Sequence, residues 1–166
     1  APSLLPFACQ RLFQYFGARS RQPTTRFDAI TTTLPELKFE SKPENIAVVE
    51  RLIDQISTEH GIIPEHYGNV LIGMTEAVNN AITHGNKLDL NKSVGVSCAV
   101  DGKSLVFRIT DEGPGFDYEN LPDPTAPENI EKPHGRGVFL MRHLADECDF
   151  EAEGRIVVLT FNEVLA

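Results

Sequence analysis

Apolar residues recur along the chain in two patterns: at spacings of three and four residues, as in a helix, or at every second residue, as in a strand. The pattern found in each segment predicts its secondary structure. Spacings of three and four over residues 46–56 place the apolar side chains on one face, which predicts a helix that ends before Gly61. Ser41 is expected to cap this helix, with Pro43 in its first turn.

The helical period returns twice further along the chain. It predicts a second helix over residues 65–84, with Gly85 as its stop, and a short third helix over residues 136–145. Alternation of apolar and polar residues, bounded by turn residues such as Asp101-Gly102, predicts the strands. These lie at residues 27–34, 37–41, 94–100, 105–110, 148–153 and 155–162.

Hairpins join most of the neighbouring strands in this pattern. The predicted fold is therefore α+β, a two-layer α/β sandwich with a mixed, mostly antiparallel sheet and helices on one face. Residues 117–133 carry four prolines, which exclude a helix or a central strand and predict a long surface loop. Long loops of this kind in compact domains often serve as lids.

The chain divides by charge into a leader, residues 1–26, and one domain, residues 27–166. The leader holds four arginines and no acid, and we expect it to be poorly ordered. Its apolar residues precede its arginines, the reverse of a secretory signal. An organelle transit segment, a linker and a remnant of a longer chain all remain open as its identity.

Composition restricts the partners. Fifteen basic and 24 acidic residues give a net charge of −9, which argues against direct binding to nucleic acid or an anionic membrane. A basic partner or a metal-bound anion fits this charge better. Three widely spaced cysteines form no pattern typical of a disulfide framework or a zinc site, and they indicate a reducing compartment such as the cytoplasm.

Polar residues form a stripe along the second predicted helix. Glu76, Asn80 and His84 follow one another at steps of four and share one face. By itself this stripe is typical of a solvated helix face, and the alternative is the lining of a cleft.

Glycines follow the strand at residues 105–110. Asp111 precedes Gly113 and Gly115, so a carboxylate lies where the backbone is free to approach a ligand closely. Such a carboxylate accepts a hydrogen bond from an exocyclic amine of a flat ring. An ordinary glycine turn is the alternative.

A second glycine pair opens the third predicted helix. Gly135, Arg136 and Gly137 place unpaired backbone N–H groups at a helix N-terminus, where an anion binds favourably. Glycine capping is the alternative. Neither a dinucleotide-binding fingerprint nor a P-loop matches this segment.

Taken together and in this order, the three motifs resemble those of the histidine-kinase-like ATPase superfamily, which includes gyrase and sensor histidine kinases. The similarity is greatest to the anti-sigma-factor serine kinases of bacteria and covers about residues 37–162. The chain lacks a segment like a phosphoacceptor histidine helix, and Phe139 stands where sensor kinases usually have a third glycine. Both departures favour the serine-kinase branch.

The resemblance implies a role for each motif. In EAVNNAITHG, Glu76 corresponds to the catalytic base and Asn80 to the Mg²⁺ ligand. Asp111, with Gly113 and Gly115, corresponds to the segment that holds the adenine amine of ATP. The segment that closes over the phosphates corresponds to Gly135, Arg136 and Gly137, and the proline-rich loop corresponds to the nucleotide lid.

The resemblance also implies an activity and partners. We expect transfer of the ATP γ-phosphate to a serine of a small antagonist protein, sequestration of a sigma factor, and a homodimer. The alternatives are a nucleotide-gated protein-binding module and an ATPase or histidine-kinase fragment. Relatives often carry Thr where Arg155 follows Gly154, so the adenine contact made by that residue is expected to differ here.

Overall fold

The computed structural model describes residues 26–30, 32–129 and 135–166. Predictions made for residues 1–25, residues 130–133 and His134 lie outside this described part.

An antiparallel sheet forms the frame of the domain. Its strands are β1 (Leu37–Glu40), β2 (Ser93–Asp101), β3 (Ser104–Thr110), β4 (Glu147–Glu151) and β5 (Ile156–Phe161), in the spatial order β1-β2-β3-β5-β4. Each neighbouring pair is antiparallel. The predicted Asp101-Gly102 turn is present, with Gly102 at φ +59°. The α+β prediction is confirmed, and the described sheet contains no parallel pair.

Three of the helices cover one face of this sheet. They are α2 (Ile46–His60), α3 (Pro64–Asn80) and α4 (Arg136–Leu144), while the short helix α1 (Arg26–Ala29) precedes them in the chain. Apolar residues of α2, α3 and α4 pack with the alternate residues of β2, β3 and β5 that point toward them, and this cluster is the main core. None of the described helices has the length and apolarity that crossing a bilayer requires.

The strand predicted at residues 27–34 is wrong. Residues 26–29 form α1, and Thr33 makes only an isolated bridge with Ala99. A helical turn places Phe27 and Ile30 on the same side, where both pack against the outer face of the sheet. Burial of these two side chains outweighs the preference for a strand that the local alternation of apolar and polar residues indicates.

Ser41 does not cap a helix. Its hydroxyl donates to the backbone oxygen of Lys92, 2.9 Å away, and its side chain is fully buried. The chain then passes through a 3₁₀ turn at Pro43–Asn45 before α2 begins. The Ser41 hydroxyl therefore bonds to a residue distant in the sequence, although the local sequence predicts that it caps the helix.

The two free thiols in the described part are shielded from solvent to different degrees. Cys98 is buried in β2 and Cys148 is half-buried in β4. Burial raises the pKa of Cys98 to about 12 and that of Cys148 to about 11, so both remain protonated at neutral pH. Cys9 lies outside the described residues.

Candidate functional site

A cavity of about 240 Å³ lies between α3, α4 and the neighbouring ends of β3 and β5. Its wall combines glycines, a few polar side chains and a larger apolar surface, as is typical of small-molecule sites. The polar groups and glycines are Asn80, His84, Asp111, Arg155, Gly85, Gly115, Gly135, Gly137 and Gly154. The apolar side chains include Ile109, Phe116, Leu121, Val138, Met141, Phe150 and Val157.

The carboxylate of Glu76 and the carboxamide of Asn80 meet at one point of α4. Both are half-buried, one helical turn apart on α3. A Cβ atom added to Gly137 would lie 3.0 Å from Glu76 Oε2 and 3.0 Å from Asn80 Oδ1. The absence of a side chain at Gly137 therefore lets the first turn of α4 approach these two groups closely.

The second predicted helix changes its winding directly after Asn80. Residues Ala81–Gly85 form a π-helical turn, in which the hydrogen bonds reach one residue further than in an α-helix. This turn brings Gly85 against the carboxylate of Asp111, and a Cβ at Gly85 would overlap that carboxylate. His84 is exposed at the edge of the cavity.

Asp111 lies at the end of β3 with its carboxylate partly inside the wall. Its backbone N–H donates to the oxygen of Arg155 at 3.0 Å, and its Oδ1 accepts from the Gly113 N–H at 2.8 Å. Burial raises the pKa of Asp111, while the Gly113 N–H and the Arg155 guanidinium act in the opposite direction. Asp111 is thus a half-buried hydrogen-bond acceptor, the type of group that recognises an amine inside a cavity.

A turn with left-handed backbone supports the wall next to Asp111. Ala152, Glu153 and Gly154 all have positive φ, at +49°, +60° and +88°. The backbone oxygen of Glu153 accepts from the Phe116 N–H at 2.9 Å, and a Cβ at Gly115 would overlap that same oxygen. The turn thus fixes the backbone that carries Phe116 into the cavity wall.

Aromatic side chains continue this wall outward. Phe116 meets Phe150 edge to face at a centroid distance of 5.4 Å, and Tyr118 stacks on Phe150 at 4.9 Å. The Arg142 guanidinium lies 5.9 Å from the Phe150 ring centre and donates to the backbone oxygen of Tyr118. These contacts attach the beginning of the proline-rich loop to α4 and β4.

The eight residues to which the family resemblance assigns a role have different places around the cavity. Five line it directly: Asn80, Asp111, Gly115, Gly135 and Gly137. Glu76 reaches it beside Gly137, and Gly113 is buried behind the wall, so close to the Gly85 oxygen that a Cβ would overlap it. Arg136 is exposed at the N-terminus of α4 and is not among the lining residues.

The sequence motifs do not reveal the apolar half of the wall. Val138 and Met141 were visible as apolar residues three apart in the third predicted helix, and that spacing indicated only a buried face. Phe150 and Leu121 come from a strand and a loop far apart in the chain. Tertiary packing alone shows that these side chains border the same space.

The oxygen donors around Gly137 suit Mg²⁺. The described residues contain no group of three or more His, Cys, Asp or Glu side chains that could enclose a metal ion. Mg²⁺ does not need one, because it commonly takes one or two protein oxygens and completes its octahedron with water and substrate phosphates. The Asn80 carboxamide and the Glu76 carboxylate beside the cavity fit this mode.

The geometry agrees with the comparison with known proteins. A family model described as the histidine kinase-like ATPase domain matches residues 39–161, which run from within β1 to the end of β5 and include every residue of the site described in this subsection. The chain belongs to this family. Among curated relatives, it is 25% identical over 132 residues to the serine-protein kinase RsbW of Bacillus cereus (strain AH820). The RsbW proteins of Bacillus anthracis and Bacillus thuringiensis (strain Al Hakam) match equally, over 75% of this chain and 82% of theirs.

Proposed function

We propose that this chain is an ATP-dependent serine/threonine protein kinase of the anti-sigma-factor type. The observation that carries the proposal is the meeting of Glu76, Asn80 and the α4 N-terminus beside a cavity that Asp111 also lines. Similarity to relatives named serine-protein kinases supports a kinase over other members of the family.

In this proposal Asp111 holds the base of ATP. Its carboxylate accepts a hydrogen bond from the adenine 6-amino group, and the apolar wall with Phe116 and Met141 contacts the ring. Backbone N–H groups at Gly135 and Gly137 face the phosphates, where the positive end of the α4 dipole favours negative charge. Arg136, exposed at the same helix end, adds positive charge there.

Asn80 provides the protein ligand for Mg²⁺, with Glu76 beside it. When bound, the ion neutralises phosphate charge and lets a nucleophile approach. Glu76 accepts the proton of the incoming hydroxyl, the role of a general base. Gly137 keeps the α4 backbone close enough for both side chains to act on the same phosphate group.

The acceptor in the proposal is a serine of a small antagonist protein, and the second partner is a sigma factor that the kinase sequesters. A homodimer and a role in transcription regulation complete the assignment. These partners come from the resemblance to anti-sigma-factor kinases, and the net charge of −9 favours partners with basic contact surfaces.

Phosphate transfer tests the proposal directly. Proteins that bind the immobilised chain in the presence of ATP or ADP would be recovered from the source cells, purified and incubated with the chain, Mg²⁺ and γ-labelled ATP. We expect acid-stable label on a serine of one partner, lost in Glu76→Gln and retained in Glu50→Gln, an exposed carboxylate on α2.

Other outcomes would assign the chain to the alternative functions. ATP binding without transfer to any partner would indicate a nucleotide-gated binding module. Phosphate released to water would indicate an ATPase, and acid-labile label on histidine would indicate a histidine-kinase fragment. Each of these results contradicts the serine-kinase proposal.

A further inference from the structure

A fully buried asparagine directly follows the π-helical turn. The Asn86 carboxamide donates through Nδ2 to Ser41 Oγ at 2.8 Å and to the backbone oxygen of Ser93 at 2.9 Å. Its Oδ1 accepts from the Glu112 N–H at 2.7 Å. Ser41 is also fully buried, and its hydroxyl donates a hydrogen bond to the backbone oxygen of Lys92.

Asn86 and Ser41 are both polar side chains with no exposure to solvent. Burial of an amide or hydroxyl is unfavourable unless hydrogen bonds replace those it made to water, and here each of these groups has a partner. The bonds join four separate parts of the chain at Asn86: the end of the π-helical turn, the end of β1, the start of β2 and the segment after β3. We call Asn86, Ser41 and their partners the Asn86 junction.

The junction acts on the residue next to Asp111. Asn86 fixes the backbone N–H of Glu112, and the Gly85 backbone immediately before it lies against the Asp111 carboxylate. The Asp111 carboxylate thus lies against Gly85 and accepts from the Gly113 N–H, and the Glu112 backbone that Asn86 fixes connects Asp111 to Gly113. Two side chains bond to backbone N–H groups of this segment: Asn86 accepts from Glu112 and Asp111 accepts from Gly113.

We propose that Asn86 is a positioning residue for nucleobase recognition, holding the Asp111 carboxylate at the base end of the cavity through the Glu112 backbone, with Ser41 as its buried partner. This inference rests on the proposed function, because it assumes that Asp111 binds the 6-amino group. Asn86 lies outside the cavity lining and acts through Asp111.

The inference predicts a selective defect. A hydrogen bond from a neutral amine to a carboxylate contributes enough to favour ATP roughly tenfold or more over purine riboside triphosphate, which lacks the 6-amino group. When Asp111 is no longer held, this preference falls while the phosphate end is unchanged. KM for ATP therefore rises, and kcat at saturating ATP stays within about threefold.

The test measures Kd for both nucleotides by calorimetry with Mg²⁺ present, at a temperature where circular dichroism shows each variant folded. We expect Asn86→Ala to reduce the preference for ATP to about threefold or less. Ser41→Ala leaves the Asn86 bond to Glu112 in place but removes a hydrogen bond of the Asn86 carboxamide, so it should lower the preference by a smaller but measurable factor, about two- to threefold, from its wild-type value. Asn91→Ala, an exposed change in the neighbouring loop, should leave it unchanged.

The outcomes separate this inference from the proposed function. A wild-type chain with no preference for ATP would overturn the role of Asp111, and the inference with it. If folded Asn86→Ala keeps the full wild-type preference for ATP, the inference about Asn86 is wrong but the proposed function still stands. If Asn86→Ala does not fold, Ser41→Ala decides, since an undiminished preference in that variant contradicts the junction.

Discussion

At the scale of single residues, Gly137 shows how a missing side chain shapes the site. A Cβ at this position would lie about 3 Å from Glu76 Oε2 and from both terminal atoms of Asn80. Contacts this short force one of the neighbours to move. The backbone of α4 and the two polar groups of α3 therefore share a space that only glycine leaves open.

We predict that Gly137→Ala lowers ATP affinity or transfer rate by about tenfold or more without lowering the melting temperature. Alanine favours a helix by up to about 1 kcal/mol over glycine, so the loss of activity should not come from unfolding. Gly68→Ala is the matched control, since Gly68 lies in α3 with no atom within 4 Å of an added Cβ. Equal activity of both variants would contradict the close approach of α4.

Asp111 predicts a pH dependence of nucleotide binding. Its pKa is raised by burial, so the carboxylate takes up a proton at a higher pH than an ordinary aspartate does. A raised pKa for an acid means that the folded state binds the proton more tightly, so the unfavourable burial of this charge disappears as the pH falls. In the proposed function, ATP binding needs the ionised form of Asp111, so we expect ATP affinity to fall over the same interval.

We expect ATP affinity to fall with pH below neutrality in the wild type, and the fall to begin at a higher pH in Arg155→Ala. The Arg155 guanidinium lowers the pKa of Asp111, so its removal raises that pKa further. Calorimetric titrations between about pH 7 and pH 4 measure the effect. The Asp111→Asn variant measures the part of the pH dependence that comes from protonation of ATP itself. If the wild type and this variant show identical pH profiles, Asp111 is excluded as the titrating group.

At the scale of elements, α1 is a short helix held by side chains on the outer face of the sheet. Phe27 is buried among Ala99, Val106 and Val158, and the Arg108 guanidinium lies 5.0 Å from its ring centre. Asp28 of α1 and Glu151 of β4 both pair with Arg108, the former at 2.9 Å and the latter at 3.2 Å. The core and the cavity lie on the opposite face.

We predict that Phe27→Ala lowers the free energy of unfolding by about 2–3 kcal/mol, somewhat less than a Phe→Ala change in a main core because this cluster is small. ATP affinity should change by less than threefold, since the sheet separates Phe27 from the cavity. Urea unfolding measures the first quantity and calorimetry the second. Ile72→Ala, at an exposed apolar position of α3, should change stability by less than about 0.5 kcal/mol.

The elements were predictable to different degrees, and local signals explain the difference. Helix α2 and the hairpin of β2 and β3 were confirmed, because a sustained apolar period and an Asp-Gly turn act within a few residues. The strand at residues 27–34 and the Ser41 cap were wrong. In both places a distant partner, the outer face of the sheet or the Lys92 oxygen, outweighs the local preference.

At the scale of the whole molecule, the proposed site joins parts of the chain that depend on one another only when folded. We predict that Mg²⁺ and ATP, at about 100 times Kd, stabilise the domain by about 2.7 kcal/mol and raise the melting temperature by roughly 5–10 °C. Asn80→Ala should lose the magnesium-dependent part of this rise. Asn69→Ala, an exposed change on the same helix, should keep it.

Calorimetry and a thermal melt, each with ATP in the presence and absence of Mg²⁺, make the comparison. If Asn80→Ala retains the full magnesium-dependent rise in melting temperature, then Asn80 does not hold the ion. If the wild type shows no rise with Mg²⁺ and ATP, the nucleotide site itself is wrong.

The sequence by itself determined the element types of the core, the three motifs and their order, because periodicity, turn residues and glycine positions are local properties. Only the tertiary structure decided that Glu76 and Asn80 meet Gly137, that a π-helical turn brings Gly85 against Asp111, and that Asn86 joins four segments. Those contacts link residues far apart in the chain. Their distances follow from how helices and sheet pack, and local sequence patterns carry no information about that packing.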